Sequence, residues 1–147
     1  MLALHSSTFY SMFSGNFKES QMEHVELPGV TAEEFQVFLE IIHDKFDVLN
    51  DENIEMVMRL ADMWDSRITV LKCREYLIKK SKMPKFRKLQ LAVLYNDEEY
   101  VKDLLRGAFY SDNVYELRPT DGTSLPEDIT KKLDEMAELI FLNNQCY

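Results

Sequence analysis

The 147-residue sequence is poor in the residue types from which catalytic and metal centres are built. It has three histidines, two cysteines and four glycines, at spacings that match no metal site, nucleophile elbow or phosphate-binding loop. Two isolated thiols, Cys73 and Cys146, also exclude a disulfide framework. We therefore expect no enzyme activity, no catalytic residue, no bound metal and no cofactor.

Long apolar runs are also missing. No run approaches the roughly 20 residues that span a membrane, and residues 1–4 are too short for a signal peptide. These absences predict an intracellular chain, cytoplasmic or nuclear. The formal charge of −9 disfavours nucleic acid and anionic membranes as partners. Six basic residues between positions 79 and 88 give this segment a positive charge, unlike the chain as a whole. A solvated helix junction explains them more simply than a nucleic-acid or nuclear-localisation patch.

Apolar residues make up 46% of the chain and charged residues 29%, which is ordinary globular composition. Near the N-terminus, Ser7 is a candidate cap for a short helix over residues 8–14, and Gly15 suits its end. Val25 and Leu27 alternate with polar neighbours, which predicts a half-buried strand.

Three amphipathic helices are predicted next. Thr31-Ala32-Glu33-Glu34 is a capping box, and it opens a helix with one apolar stripe. Asn50 or Asp51 can cap the second helix, and the third runs from about residue 67 to 79. The inward residues are expected to be Phe35, Phe38, Leu39 and Ile42, then Ile54, Val57, Met58, Ala61 and Trp64, then Val70, Cys73 and Leu77.

The second half predicts three more helices. Pro84 opens one, Asp97 caps another that should end before Gly107, and residues 119–122 form a loop. A second capping box, Ser124 to Glu127, is expected to open a long final helix. The apolar stripes are Phe86, Leu89 and Val93, then Tyr100, Val101, Leu104 and Leu105, then Ile129, Leu133, Met136, Ala137 and Ile140.

The first half resembles BTB/POZ domains, in a style similar to the many nematode proteins of that family. The likeness lies in the order and spacing of several short segments over about 75 residues. These are Leu2 to Phe13, Gly15 to Ser20, Val25-Glu26-Leu27 and Val30, Glu34-Phe35 leading to Ile42, Asn53-Ile54 leading to Asp62, and Cys73 to Leu77.

This resemblance implies an α+β, predominantly helical fold, with a BTB/POZ-like helical cluster at residues 1–80 and a C-terminal helical extension at 83–147. Such domains usually begin with a strand pair and a histidine entering the first helix, whereas this sequence starts inside that helix. We therefore expect a reduced sheet and a domain less stable than its relatives, or the product of a shortened reading frame.

The resemblance also implies a docking motif. Family members that recruit cullin-3 present a hydrophobic residue, any residue and a glutamate, here Phe17-Lys18-Glu19. An exposed aromatic ring and a nearby carboxylate would suit a partner pocket. The alternative is that Phe17 folds back onto Phe13 or Phe38 while Glu19 is merely solvated. Trp64 lies where relatives often add a second cullin contact, although core packing is its simpler interpretation.

Four apolar residues near the N-terminus have two interpretations. BTB domains form a two-fold dimer through their first helices, so this group would form an isologous interface between two copies of the chain. The same residues would equally suit an ordinary core. They are Leu4, Phe9, Tyr10 and Phe13.

The leading hypothesis is a protein-binding module that serves as a substrate adaptor for a cullin-3 ubiquitin ligase, with an unidentified client and a second copy of itself as further partners. The alternative is a BTB oligomerisation scaffold or transcription-associated protein without ligase binding. A third possibility, suggested by the expected loss of strands, is an inert fragment.

Overall fold

The computed structural model describes residues 26–111 and 113–145, with the side chains of residue 46 and residues 143–145 excepted. The chain divides into two compact units, Met1–Lys82 and Met83–Tyr147. Their described parts are built from helices and connecting turns. Among the described residues, no helix combines the length and apolar character that crossing a bilayer requires.

The described part of the first unit opens with a turn and a capped helix. Gly29 has a φ of 73°, a left-handed conformation that glycine adopts without strain. Helix α1, Ala32–Ile42, then begins at the predicted capping box. The Glu34 amide donates to the Thr31 hydroxyl at 3.2 Å, and the Thr31 amide donates to the Glu34 carboxylate at 3.0 Å.

Two further α-helices complete this unit, after a short 3₁₀-helix at Phe46–Val48. They are α2, Ile54–Met63, and α3, Arg67–Lys79, which has the predicted bounds. The N-cap of α2 is Asn53, slightly later than the predicted Asn50 or Asp51. Asn50 nevertheless stabilises the preceding turn, because its side-chain oxygen accepts from the Glu52 and Asn53 amides at 2.9 Å.

The core of this unit is formed by the apolar stripes of the three helices, as the periodicity predicts. All four inward residues of α2 are buried, whereas Phe35, Leu39 and Val70 are only partly buried. The buried apolar residues are Phe38, Ile41, Ile42, Leu49, Ile54, Val57, Met58, Leu60, Ala61, Trp64, Cys73 and Leu77.

The second unit contains helices α4, Lys85–Leu94, α5, Glu98–Tyr110, and α6, Glu127–Gln145, with a 3₁₀-helix at Val114–Leu117. Asp97 caps α5 as predicted, since its carboxylate accepts from the Tyr100 amide at 3.2 Å. The buried apolar residues of this unit are Leu89, Leu91, Ala92, Tyr100, Val101, Ala108, Val114, Leu117, Ile129 and Leu133.

Two predicted boundaries in this unit were wrong. Helix α5 passes through Gly107 and ends at Tyr110, because Ala108 is buried and Ser111 closes the last turn by donating from its hydroxyl to the Gly107 carbonyl at 2.8 Å. Helix α6 begins at Glu127, so this residue occupies the first helical position and Pro126 supplies the first accepting carbonyl. The expected capping box at Ser124 is therefore not formed.

The predicted sheet is not confirmed. Glu26 and Leu27 have irregular backbone, and no strand occurs within residues 26–111 and 113–145. The rest of the predicted strand, His24 and Val25, and the short N-terminal helix lie outside the described residues. The expected fold class was α+β and predominantly helical. The described residues are predominantly helical, as expected.

Candidate protein-interaction site

Seven of the eight predicted contact residues lie outside the described part of the chain. The docking residues Phe17, Lys18 and Glu19 remain predictions, as do the four dimer residues Leu4, Phe9, Tyr10 and Phe13. The described residues do show how the segment that follows this region is held. That segment, residues 26–31, leads directly into α1.

Arg59 on α2 fixes the turn before α1. Its guanidinium donates to the Glu34 carboxylate at 2.8 Å and to the Gly29 carbonyl at 3.3 Å. The backbone hydrogen bond from Thr31, followed by the Arg59 contact, lowers the pKa of Glu34 below its ordinary value of 4.5. One arginine therefore joins the turn, the start of α1 and α2, and sets where the chain enters this helical cluster.

Trp64, the remaining predicted contact residue, is only 3% exposed. Its ring makes edge contacts with Phe38 and Phe35, at centroid distances of 4.6 and 5.8 Å. It belongs to an apolar cluster with Phe38, Ile42, Leu60 and Ala61, against which Leu27 and Val30 also pack. This geometry matches the core-packing interpretation of Trp64, and a direct cullin contact by its ring stays a prediction.

Exposed apolar side chains lie near Trp64 in the sequence. The inward-facing apolar stripes predicted for α2 and α3 do not include them. Met63 at the end of α2 is 45% exposed, and Ile68 and Leu71 on α3 are 41% and 45% exposed. Ile68, Leu71 and Ile78 share one side of α3 because they are spaced by three and seven residues. Such a face suits contact with another polypeptide, and the spacing of its residues along α3 is the sequence signal that indicates it.

Several charged residues in the described part of the first unit form ion pairs. Lys72 on α3 donates to the Ile41 carbonyl at 2.6 Å and to the Asp44 carboxylate at 2.7 Å, so it closes the C-terminus of α1. In the lysine-rich segment, Lys79 pairs with Glu75 at 2.6 Å and Lys80 lies 3.8 Å from Asp47. These pairs match the interpretation of a solvated helix junction.

Chemically reactive groups are few in the described chain. Cys73 is fully buried, and this burial raises the pKa of its thiol to about 12. No group of three or more histidine, cysteine, aspartate or glutamate residues is placed to hold a metal ion within the described ranges. The described residues thus form a helical structure with an exposed apolar face on α3, a kind of surface that suits contact with another polypeptide.

Comparison with known proteins identifies the family. The model of the BTB/POZ domain matches residues 1–81, and the chain therefore belongs to the BTB/POZ family. BTB and MATH domain-containing protein 15 of Caenorhabditis elegans is 36% identical over 97 residues, which are 66% of this chain and 35% of that protein. The predicted similarity to nematode members of the family is therefore confirmed.

Other relatives extend the comparison. BTB and MATH domain-containing protein 38 of Caenorhabditis elegans is 28% identical over 130 residues, 88% of this chain and 34% of the relative. The human Kelch repeat and BTB domain-containing protein 2 is 33% identical over 100 residues, 67% of this chain and 16% of that protein. The chain thus spans about a third of the nematode relatives' length.

Proposed function

We propose that this BTB chain is an adaptor that docks on cullin-3 through Phe17 and Glu19. The observation that carries the proposal is the family match across residues 1–81, a range that includes Phe17-Lys18-Glu19. In this proposal the Phe17 ring fills an apolar pocket of the cullin, and the Glu19 carboxylate accepts a charge-assisted hydrogen bond. The adaptor places a bound client beside the ligase and contributes no chemistry of its own.

The described residues support this proposal by what they hold in place. The turn at Gly29, further along the chain than the docking motif, is tied to α2 by Arg59, and Leu27 packs on the Trp64 cluster. Because Trp64 is buried, its proposed role is to keep this cluster rigid. The exposed Met63 and Ile68 beside it offer the surface for a second cullin contact.

The test is the affinity of the full chain for the purified N-terminal region of cullin-3. The variant Phe17→Ala plus Glu19→Ala should lose about tenfold or more in affinity, as expected for a hot-spot pair. The matched control is Phe141→Ala plus Glu138→Ala, which removes the same residue types from exposed positions on α6. Equal binding by wild type and the Phe17/Glu19 variant would reject the docking assignment, and circular dichroism would show whether both variants keep their helices.

A scaffold that only oligomerises is the second candidate, and the exposed apolar face of α3 favours it. In both proposals two copies associate through Leu4, Phe9, Tyr10 and Phe13. Light scattering distinguishes the proposals when combined with the cullin measurement. A dimer that does not bind cullin-3 would support the scaffold, whereas a dimer that binds it through Phe17 and Glu19 would support the adaptor.

A further inference from the structure

The second half of helix α6 exposes apolar side chains that its own unit does not cover. Leu139 and Leu142 are 52% and 58% exposed, and they share one side of the helix because they are three residues apart. Glu135 and Glu138 lie on the same side, since each precedes one of these leucines by four residues. We call these four residues the α6 face. Within the described chain, neither glutamate side chain forms an ion pair or a hydrogen bond, so both carboxylates can meet a cation from outside.

A second exposed face of similar design lies on α3. Ile68, Leu71 and Ile78 are 41%, 45% and 56% exposed and share one side of that helix. Arg67 and Arg74 belong to the same side, because they lie four residues before Leu71 and four before Ile78. We call these five residues the α3 face. Arg67 is exposed and forms no ion pair with another described residue. The two faces thus share an apolar character and carry opposite flanking charges.

The charges of the two helical segments are complementary as well. Residues 67–79 contain four basic residues and one acidic residue, a net charge of +3. Residues 133–145 contain three acidic residues and none that is basic, a net charge of −3. Glu75 of α3 is already paired with Lys79 at 2.6 Å, and Asp134 of α6 with Arg118 at 2.5 Å. The charges that remain on the two faces therefore attract each other.

The spacing of the side chains also fits. Ile68 and Leu71 are three residues apart, as are the two leucines of the α6 face, so two helices laid side by side bring both apolar pairs into contact at once. An arginine lies beside the carboxylates of the α6 face in either direction of the helices. Arg74 has this position in an antiparallel pair, and Arg67 has it in a parallel pair.

We propose that the α6 face of one copy of this chain binds the α3 face of a second copy. Because the two faces are different, the contact is heterologous, and it either closes into a ring, of which a dimer is the smallest, or continues as an open chain. It covers about two helical turns on each side, less than the roughly 1,200 Å² of a stable interface, so the dissociation constant should be on the order of 10–100 μM.

This contact is independent of the docking on cullin-3, because Phe17 and Glu19 take no part in it. A loss of cullin binding in the Phe17/Glu19 variant therefore does not affect self-association, and the two proposals can fail separately. They meet only at Ile68, since a copy whose Ile68 is covered in this way cannot use it for the second cullin contact.

Light scattering of the full chain, at concentrations from well below to well above the expected dissociation constant, tests the apolar part. The average mass should rise with concentration, and less so at high salt. Leu139→Ser plus Leu142→Ser should weaken the association by about tenfold or more, because the buried apolar area is lost. The matched control is Leu94→Ser plus Phe141→Ser, which removes side chains that are 61% and 63% exposed in the same unit and should change nothing. A constant mass, or equal effects of the two variants, would overturn the proposal.

Charge reversal tests whether the partner is a second copy. Arg67→Glu plus Arg74→Glu makes both faces of a chain acidic, and Glu135→Arg plus Glu138→Arg makes both basic. Each variant alone should associate about tenfold more weakly than the wild type. An equimolar mixture of the two should recover the association, because every contact between unlike chains again joins opposite charges, and misfolding cannot produce such a gain. A mixture without recovery would assign both faces to partners of other sequence and reject self-association.

Discussion

The ammonium group of Lys72 lies 2.6 Å from the carbonyl oxygen of Ile41, in the last turn of α1. The side chain is only 11% exposed, and it also reaches the Asp44 carboxylate at 2.7 Å. The Ile41 carbonyl also accepts from the Asp44 amide at 3.2 Å, and the cation adds a charged donor that opposes the negative end of the helix dipole. One largely buried lysine side chain therefore joins the end of α1 to α3.

Replacing this lysine should destabilise the first unit. Lys72→Met keeps most of the aliphatic length but removes the charged donor, and we expect a loss of about 2 kcal/mol in the free energy of unfolding. Lys79→Met on the same helix is the control, because its ion pair with Glu75 is exposed and should contribute less than about 0.5 kcal/mol. Urea titration measures both, and equal losses would show that Lys72 acts only as a surface charge.

Asn96, two residues after the end of helix α4 at Leu94, has a left-handed conformation with a φ of 53°. The next amide, that of Asp97, donates to the Ala92 carbonyl at 2.8 Å, which is the long hydrogen bond of a Schellman motif. Glycine adopts this conformation without steric cost, so Asn96→Gly should stabilise the second unit by about 0.5–1 kcal/mol. Asn96→Ala should destabilise it by about 1 kcal/mol. If both variants shift the urea midpoint in the same direction, the left-handed assignment is wrong.

Trp64 is the single tryptophan of the chain, and it is buried against Phe38. Its fluorescence should therefore move to longer wavelength when the first unit unfolds. Trp64→Ala should lower the free energy of unfolding by about 3–5 kcal/mol, because it leaves a cavity among aromatic rings. Leu71→Ala, at a position that is 45% exposed, should cost less than about 1 kcal/mol. A native emission spectrum identical to that of the urea-unfolded chain would contradict the burial of Trp64.

Periodicity was sufficient to predict the helices of the described residues, and the reason is visible in α2. Its inward residues Ile54, Val57 and Met58 are each at most 1% exposed, so burial follows the apolar stripe with little interference. At Gly107 the local preference is overridden, since glycine favours a helix end but the burial of Ala108 extends α5 past it. A local preference is small compared with the burial of a whole helical turn.

The interaction surfaces were less accessible from the sequence. The apolar periodicity of α3 predicts that Lys72 faces solvent. Its hydrogen bond to α1 depends on the distance between the two helices, which the sequence does not give. The groove lined by Leu49, Lys72 and Tyr76 likewise combines α3 with a residue more than 20 positions earlier in the chain. Phe17 and Glu19 were identified only through a family likeness, and their own residue types do not distinguish a docking motif from a packed loop.

The buried thiol offers a chemical test of the core. With its pKa raised to about 12 by burial, Cys73 should be almost entirely protonated at pH 8, and its side chain is closed to reagents. In the variant Cys146→Ser, the native protein should react with Ellman's reagent at least about a thousandfold more slowly than an exposed cysteine. Reaction should be complete in denaturant, and rapid reaction of the native variant would show that α3 does not pack as described.

The capping box of α1 predicts a dependence of stability on pH. The pKa of Glu34 is lowered below 4.5 in the folded chain, first by the hydrogen bond from the Thr31 amide and then by Arg59. A carboxylate with a lowered pKa contributes stability that is fully present above its ordinary value and is lost as the pH falls through the lowered one. Glu34→Gln should therefore reduce stability near pH 6, and its difference from the wild type should shrink as the pH falls below 4.5. Glu33→Gln, one residue earlier in the same helical turn, keeps both contacts of Glu34 and is the control. A Glu34→Gln difference that stays constant across this range would show that the carboxylate charge contributes nothing at this helix start.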